Sequence, residues 1–278
     1  MSAIRNPNLG PSQLRTKRRR LFFVRLVIII FFLLVVIFGL AIFSGNEKVK
    51  IQTIIVSGNT TISSDAILAI ANRDMTGRYG YLFAKNNFII FPRFQIKESI
   101  LKEFKTVKDV NISWTGWQKI SIIISERRPH SVWCRNDINV VERECLFVDK
   151  EGYIYSQAPT FSGSMFIKNY GNISTSTDPL GQYFLPTKTY IQIFTLIDNL
   201  DQNNLKVIAV SFDGFDYKFV LEMGPTIIFN DKNSFDSSFA NLFSAIETKN
   251  LDLIKEADNI NYIDLRFDNK IVIGKKIK

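Results

Sequence analysis

The chain is poor in the residues that carry chemistry. It has one histidine, His130, and two cysteines, Cys134 and Cys145. General-base catalysis needs a positioned nucleophile and an orienting group, and no such spacing surrounds His130, which follows Pro129 and reads as structural or surface. Two cysteines without histidine neighbours fall short of the four ligands a structural zinc site takes. There is no phosphate loop, no Gly-x-Ser-x-Gly elbow and no cluster of metal-ligand residues. Asp213 and Asp216 flank Gly214 in what reads as a hairpin turn, where aspartate is favoured for backbone reasons. These absences argue against an enzyme, a cofactor and a small-molecule substrate. The sequons at Asn59, Asn111 and Asn172 are what an Asn-rich chain gives by chance, and no modification is assigned to them.

Acidic residues are missing altogether from the first 43 positions, which hold Arg5, Arg15, Lys17, Arg18, Arg19, Arg20 and Arg25. The rest of the chain has 28 basic and 26 acidic residues, so most of the formal charge of +9 sits in this short stretch. A net of +2 beyond it leaves no electrostatic footprint for nucleic acid.

What the N-terminal region does contain is an apolar run. Residues 26–43 (LVIIIFFLLVVIFGLAIF) carry no charge, and with residues 21–24 the stretch is long enough to cross a hydrocarbon core of about 30 Å as a helix. Arg25 lies one turn from its start, where a long side chain reaches the headgroups. The one-sided positive charge predicts a cytoplasmic N-terminus and an extracytoplasmic bulk of roughly 235 residues. A cleaved signal peptide is the competing reading, with Gly39 and Ala41 before the cut, but its apolar region would be unusually long. The basic tail, 1–20, is expected to be disordered and to touch anionic lipid.

The extracytoplasmic part is long enough for two domains. Both cysteines fall there, where a disulfide between Cys134 and Cys145 would close a loop of about ten residues and contribute about 2–3 kcal/mol. A pair of free thiols is the alternative. The polar residues between them read as a hairpin tip.

Residues 49–56 are β-branched and end at the turn cluster Ser57-Gly58-Asn59, which predicts a strand. Ser63, Ser64 and Asp65 are N-cap candidates for a short helix through Ala71. Residues 75–91 read as a loop with packing anchors at Tyr81-Leu82-Phe83 and 88–91. Pro92 opens a second helix whose apolar stripe is Phe94, Ile96, Ile100, Leu101 and Phe104. Two strands follow, 110–114 and 120–124. Further on, 156–185 is poorly patterned. A helix fits 187–200, strands fit 207–212, 217–222 and 226–229, a helix fits 235–247, and strands close the chain at 260–267 and 270–273. The fold class is α+β on a single membrane helix, the second domain having a mainly antiparallel sheet.

Several runs carry a family resemblance. Ile51, Ile54, Val56, Gly58, Asn59 and Ser63, closed by Ile120, Ile122, Ile124, Glu126, Arg127 and Pro129, resemble the two ends of a POTRA domain, in the order strand, helix, helix, strand, strand. A single such module directly after a signal anchor resembles the bacterial cell-division family FtsQ/DivIB. Asp149, Gly152 and Tyr155 resemble that family's segment after the POTRA domain, and Tyr262-Ile263-Asp264-Leu265-Arg266-Phe267 resembles its terminal strand. The resemblance implies a tail at 1–20, a transmembrane helix at 21–43, a POTRA domain at 49–128 and an FtsQ-type β domain at 129–274. It implies a non-catalytic divisome scaffold that links early and late division proteins at the septum. The partners implied are FtsB- and FtsL-like coiled-coil division proteins and other divisome members, one of which adds a strand to the C-terminal sheet edge. A POTRA-containing envelope secretion or assembly factor is the runner-up, and a membrane-tethered enzyme comes after it.

Alternation places Ile263, Leu265 and Phe267 on the core face of the terminal strand and Tyr262, Asp264 and Arg266 on a displayed face. By motif position, Tyr262, Asp264 and Arg266, with Ile271, Val272 and Ile273 on the last strand, are the candidate partner-binding residues. A strand that comes last is a candidate sheet edge, whose free N–H and C=O groups are a template for a partner. An ordinary edge blunted by Lys270, Lys275, Lys276 and Lys278 is the alternative. Proline at Val272 is expected to abolish partner capture while leaving the domain folded.

Overall fold

A computed structural model describes residues 11–135, 144–160, 164–173, 178–230, 235–248, 253, 256–267 and 270–276. The chain divides into two compact units, one running to Glu103 and including Asp109–Ser125, the other comprising Phe104–Lys108 and the chain from Glu126 onward.

The first unit begins with α1, Pro11–Ser44. Its portion Arg18–Ser44 contains an 18-residue stretch of mean hydropathy 3.5 and is long and apolar enough to span a membrane. The described part of the basic tail, 11–20, expected to be disordered, is helical and continuous with the apolar run. The expected strand over 49–56 starts later than its composition suggests. Asn46 caps a single 3-10 turn, Glu47–Val49, by accepting from Lys48 N, and β1 is confined to Thr53–Ser57.

The residues around the end of β1 each have a structural task. Gly58 has φ +82°, and a Cβ there would run into the backbone carbonyl of Ile124. Asn59 donates to Ile62 O at 2.6 Å and to Ser64 Oγ at 3.2 Å, while Ser63 Oγ caps α2, Ser64–Asp74, by accepting from Ala66 N. Next come the two-residue strands β2 (Arg78–Tyr79) and β3 (Phe83–Ala84), α3 (Arg93–Glu103), β4 (Val107–Gly116) and β5 (Lys119–Glu126). Strands β1, β4 and β5 form a sheet of order β1-β5-β4, with β1 parallel to β5, while β2 and β3 pair separately as an antiparallel hairpin. Helix α2 packs against α3 and β1.

Two expected anchors in this unit are not buried. Phe94 is 87 % exposed, whereas Ile96 and Ile100 are fully buried. Positions two apart lie on opposite sides of a helix, so a stripe built on Ile96 and Ile100 excludes Phe94. Tyr81, expected to pack, sits at the tip of the β2–β3 hairpin and is 94 % exposed; Phe88 and Phe91 do pack, against Trp114.

The second unit is a nine-stranded mixed sheet in the order β14-β13-β12-β11-β10-β9-β6-β7-β8. In chain order its elements are β6 (Ser131–Cys134), β7 (Cys145–Val148), β8 (Ile154–Gln157), β9 (Lys168–Gly171), α4 (Thr187–Gln202), β10 (Val207–Phe212), β11 (Asp216–Leu221), β12 (Thr226–Asn230), α5 (Phe235–Thr248), β13 (Ile260–Phe267) and β14 (Lys270–Lys275). The hairpins β6–β7, β7–β8, β10–β11, β11–β12 and β13–β14 are antiparallel. Parallel pairs need a crossover, and here α4 carries the chain from β9 to the parallel β10 and α5 from β12 to the parallel β13. The core gathers Tyr190, Ile193, Ile197 and Leu200 of α4 with Phe219, Phe229, Phe239, Ile263 and Leu265.

Strand β9 lies in the stretch that showed no pattern, yet it is parallel to both β6 and β10 and holds the sheet together. Asn169 within it is buried because its amide donates to Ser131 Oγ at 2.7 Å and to Val132 O at 3.0 Å. Cys134 and Cys145 are register partners on β6 and β7 and are joined as a disulfide. The expected hairpin tip between them, 136–143, lies outside the described residues.

Candidate functional site

Strand β14 forms one edge of the large sheet, and among the described residues no strand pairs with its outer side. Its middle reads Ile271-Val272-Ile273. Ile271 and Ile273 pack on the core, and Val272 is 41 % exposed. Lys270, Lys275 and Lys276 are exposed at the two ends, so the cations flank the apolar middle of the edge without interrupting it. Lys278 lies outside the described residues.

Ladder alternation says which backbone groups are free. Lys276 N donates to Asn259 O on the β13 side, and β14 itself runs without an inserted residue, the breaks in register falling on β13. Even-numbered residues therefore direct N–H and C=O toward β13, while Ile271, Ile273 and Lys275 direct theirs outward. Val272 N–H is thus an internal donor, which changes what proline at that position would do.

The face expected to be displayed on β13 is largely satisfied internally. Asp264 is 4 % exposed; Oδ1 accepts from Arg266 N at 3.0 Å and Arg266 Nε at 2.9 Å, and Oδ2 accepts from Arg266 Nη2 at 2.6 Å. Arg266 Nη1 reaches on to Asp216 Oδ2 at 2.6 Å. The register with β14 breaks between Asp264 and Phe267, where the side chain of Asp264 bends the backbone by holding Arg266 N. That break ends the alternation, and Phe267, expected in the core, is 52 % exposed. Tyr262 faces Gly274 across the pair, and its ring occupies the space a side chain on Gly274 would fill. The glycine lets the aromatic ring cover the edge strand.

The hydrogen bonds and charge of Arg266 hold the Asp264 carboxyl below the ordinary aspartate value of about 3.9. A lowered folded value means that this group's contribution to stability is complete above about pH 4 and is lost as pH falls through the lowered value. Acid titration of the full chain, followed by near-UV circular dichroism, should show a transition below about pH 4 that moves or shrinks in Asp264→Asn.

The other residues singled out in the sequence have structural surroundings. The ring of His130 lies 4.6 Å from that of Phe194, and burial pushes its pKa below the ordinary histidine value, helped by Lys150. Asp213 Oδ1 accepts from Phe215 N and Asp216 N, closing the turn between β10 and β11, and Asp216 holds Arg266. Among the described residues, no group of three or more His, Cys, Asp or Glu could hold a metal ion.

One arrangement escaped the sequence reading. Arg127 and Asp149, from two motifs quoted separately, form an ion pair whose side chains are 10 % and 5 % exposed. Asp149 Oδ1 also accepts from Glu151 N and Tyr153 N, and the Arg127 guanidinium lies 3.8 Å above the Tyr153 ring. The cleft beside it, about 270 Å³, is lined by the cations Lys108, Arg127, Arg128 and Lys150 and by the acids Glu126 and Asp149. No protein-family model matches the chain, and no curated protein matches it in sequence.

Proposed function

We propose that the protein is a non-catalytic scaffold of the bacterial division machinery. In this reading α1 spans the cytoplasmic membrane with its N-terminus inside, because seven cations and no acid precede or begin the apolar run. The first unit acts as a POTRA module, a reading supported by its three-stranded sheet β1-β5-β4 with α2 and α3 between β1 and β4, although the short strands β2 and β3 are added between the helices, and by the structural tasks of Gly58, Asn59 and Ser63. The second unit presents the outer side of β14 to FtsB- or FtsL-like coiled-coil proteins, which add a strand to it. The observation that carries this reading is the unpaired edge of β14, apolar in its middle and backed by Tyr262 over Gly274.

The test is a photo-crosslinking residue at Val272 in the tagged full chain, combined with imaging. A small single-pass coiled-coil protein captured from position 272, with the tag concentrated at mid-cell, is the expected result. No adduct and an even distribution around the envelope would overturn the reading and favour envelope transport.

A further inference from the structure

In α1, every residue from Arg18 to Leu40 is exposed, but Ala41 and Ser44 are buried. Ala41 lies within the apolar run, two residues before its end, so part of the first unit covers the helix at that depth. The cover is the β2–β3 hairpin, whose strand β3 packs against α1. Two buried hydrogen bonds lock it there: Ala84 N donates to Ser44 Oγ at 2.8 Å, and Asn87 Nδ2 donates to Ser44 O at 3.1 Å.

A second hairpin tip is tied just beyond that point. In the turn between β4 and β5, Gln118 donates its side-chain amide to Glu47 O at 2.5 Å and Lys50 O at 2.9 Å, three and six residues past the end of α1. Its neighbour Trp117 is 64 % exposed. On the first tip Tyr81 is 94 % and Leu82 42 % exposed, and Tyr81 holds φ +64°, a backbone conformation that costs a tyrosine about 1 kcal/mol or more. Arg78 and Lys85 flank that tip. Exposed aromatic and apolar side chains between cations are poor partners for bulk water, but they match the boundary between headgroups and acyl chains, where tyrosine and tryptophan rings and snorkelling cations are favoured.

We infer that the two hairpin tips form a collar immersed in the outer headgroup region of the membrane that α1 crosses, with Tyr81, Leu82 and Trp117 inserted. The inference rests on the membrane-spanning reading of α1. Its consequence is a first unit whose height and tilt above the bilayer are fixed at three points: the helix and the two tips.

Nitroxide labels on Phe31→Cys, Tyr81→Cys and Trp117→Cys in the full chain, reconstituted in nanodiscs of phosphatidylethanolamine and phosphatidylglycerol, provide the test. Cys134 and Cys145 are joined to each other and leave the introduced thiol as the labelled one. The measurement is each label's accessibility to lipid-soluble oxygen relative to an aqueous nickel chelate. Position 31 should read as the lipid interior, and positions 81 and 117 should fall between it and a free nitroxide in buffer. Either tip label reading like the free nitroxide overturns the collar, as does a tip label shielded from both reagents, which would mean a protein cover. An aqueous reading at position 31 would instead overturn the membrane reading, and the collar with it.

Discussion

Asp149→Ala lowers the stability of the C-terminal unit by about 3–5 kcal/mol, the range for removing one partner of a buried ion pair, and drops the unfolding midpoint of the full chain by about 10 °C. The size follows from what is left behind. Arg127 is 10 % exposed, its Nε has no hydrogen-bond partner among the described residues, and without the carboxylate its charge would be left against the Tyr153 ring. The turn loses as well, because Glu151 N and Tyr153 N both donate to Asp149 Oδ1. Asp149→Asn separates the two effects: it keeps an oxygen for the turn and removes only the charge. Its cost is smaller than that of alanine, and Asp149→Asn with Arg127→Met recovers most of the remainder, since replacing both members of a buried pair is far less costly than orphaning one. Differential scanning calorimetry of the four proteins checks the series. A shift under about 4 °C for Asp149→Ala would place the pair with weak surface bridges.

The elements that announced themselves in the sequence are those whose pattern is local. The apolar run of α1, the Ser63 cap and the alternation through Ile120, Ile122 and Ile124 need only their own neighbours to be read, and the structure has a helix, a cap and a buried strand face there. What stayed hidden depends on partners far along the chain. Strand β9 is four residues, Lys-Asn-Tyr-Gly, and is a strand because β6 and β10 close on it from both sides. Arg127 and Asp149 stand 22 positions apart, and no spacing rule joins them.

The C-terminal site was half legible for the same reason. Its place at a sheet edge followed from coming last, but the display of Asp264 did not survive. A carboxylate two residues from an arginine folds back on it, and that local bond overrides the alternation that would have turned Phe267 inward. In the mixed sheet antiparallel pairings outnumber parallel ones, five to three, in line with the expected mainly antiparallel sheet; the parallel pairings β9–β10 and β12–β13 depend on α4 and α5 acting as crossovers, which a list of strands does not reveal.

The backbone direction along β14 makes the strand-addition reading sharply testable. Ile273→Pro should weaken capture of the protein crosslinked from position 272 by about 5- to 150-fold, the equivalent of leaving one buried partner carbonyl unpaired at about 1–3 kcal/mol. Ile273 sends its N–H outward, where proline deletes it without breaking the ladder to β13. The isoleucine side chain also packs on the core, so its loss must be subtracted. Ile273→Ala does this, because it removes the same packing and keeps the donor. Val272→Pro behaves differently from both, since its N–H faces β13; it should loosen the β13–β14 hairpin itself and lower the unfolding midpoint. Pull-down from nanodiscs, with calorimetry on each variant, distinguishes the cases. If Ile273→Pro and Ile273→Ala capture the partner equally well, the contact does not run through the backbone of β14, and strand addition at this edge is wrong even if Val272 is close enough to crosslink.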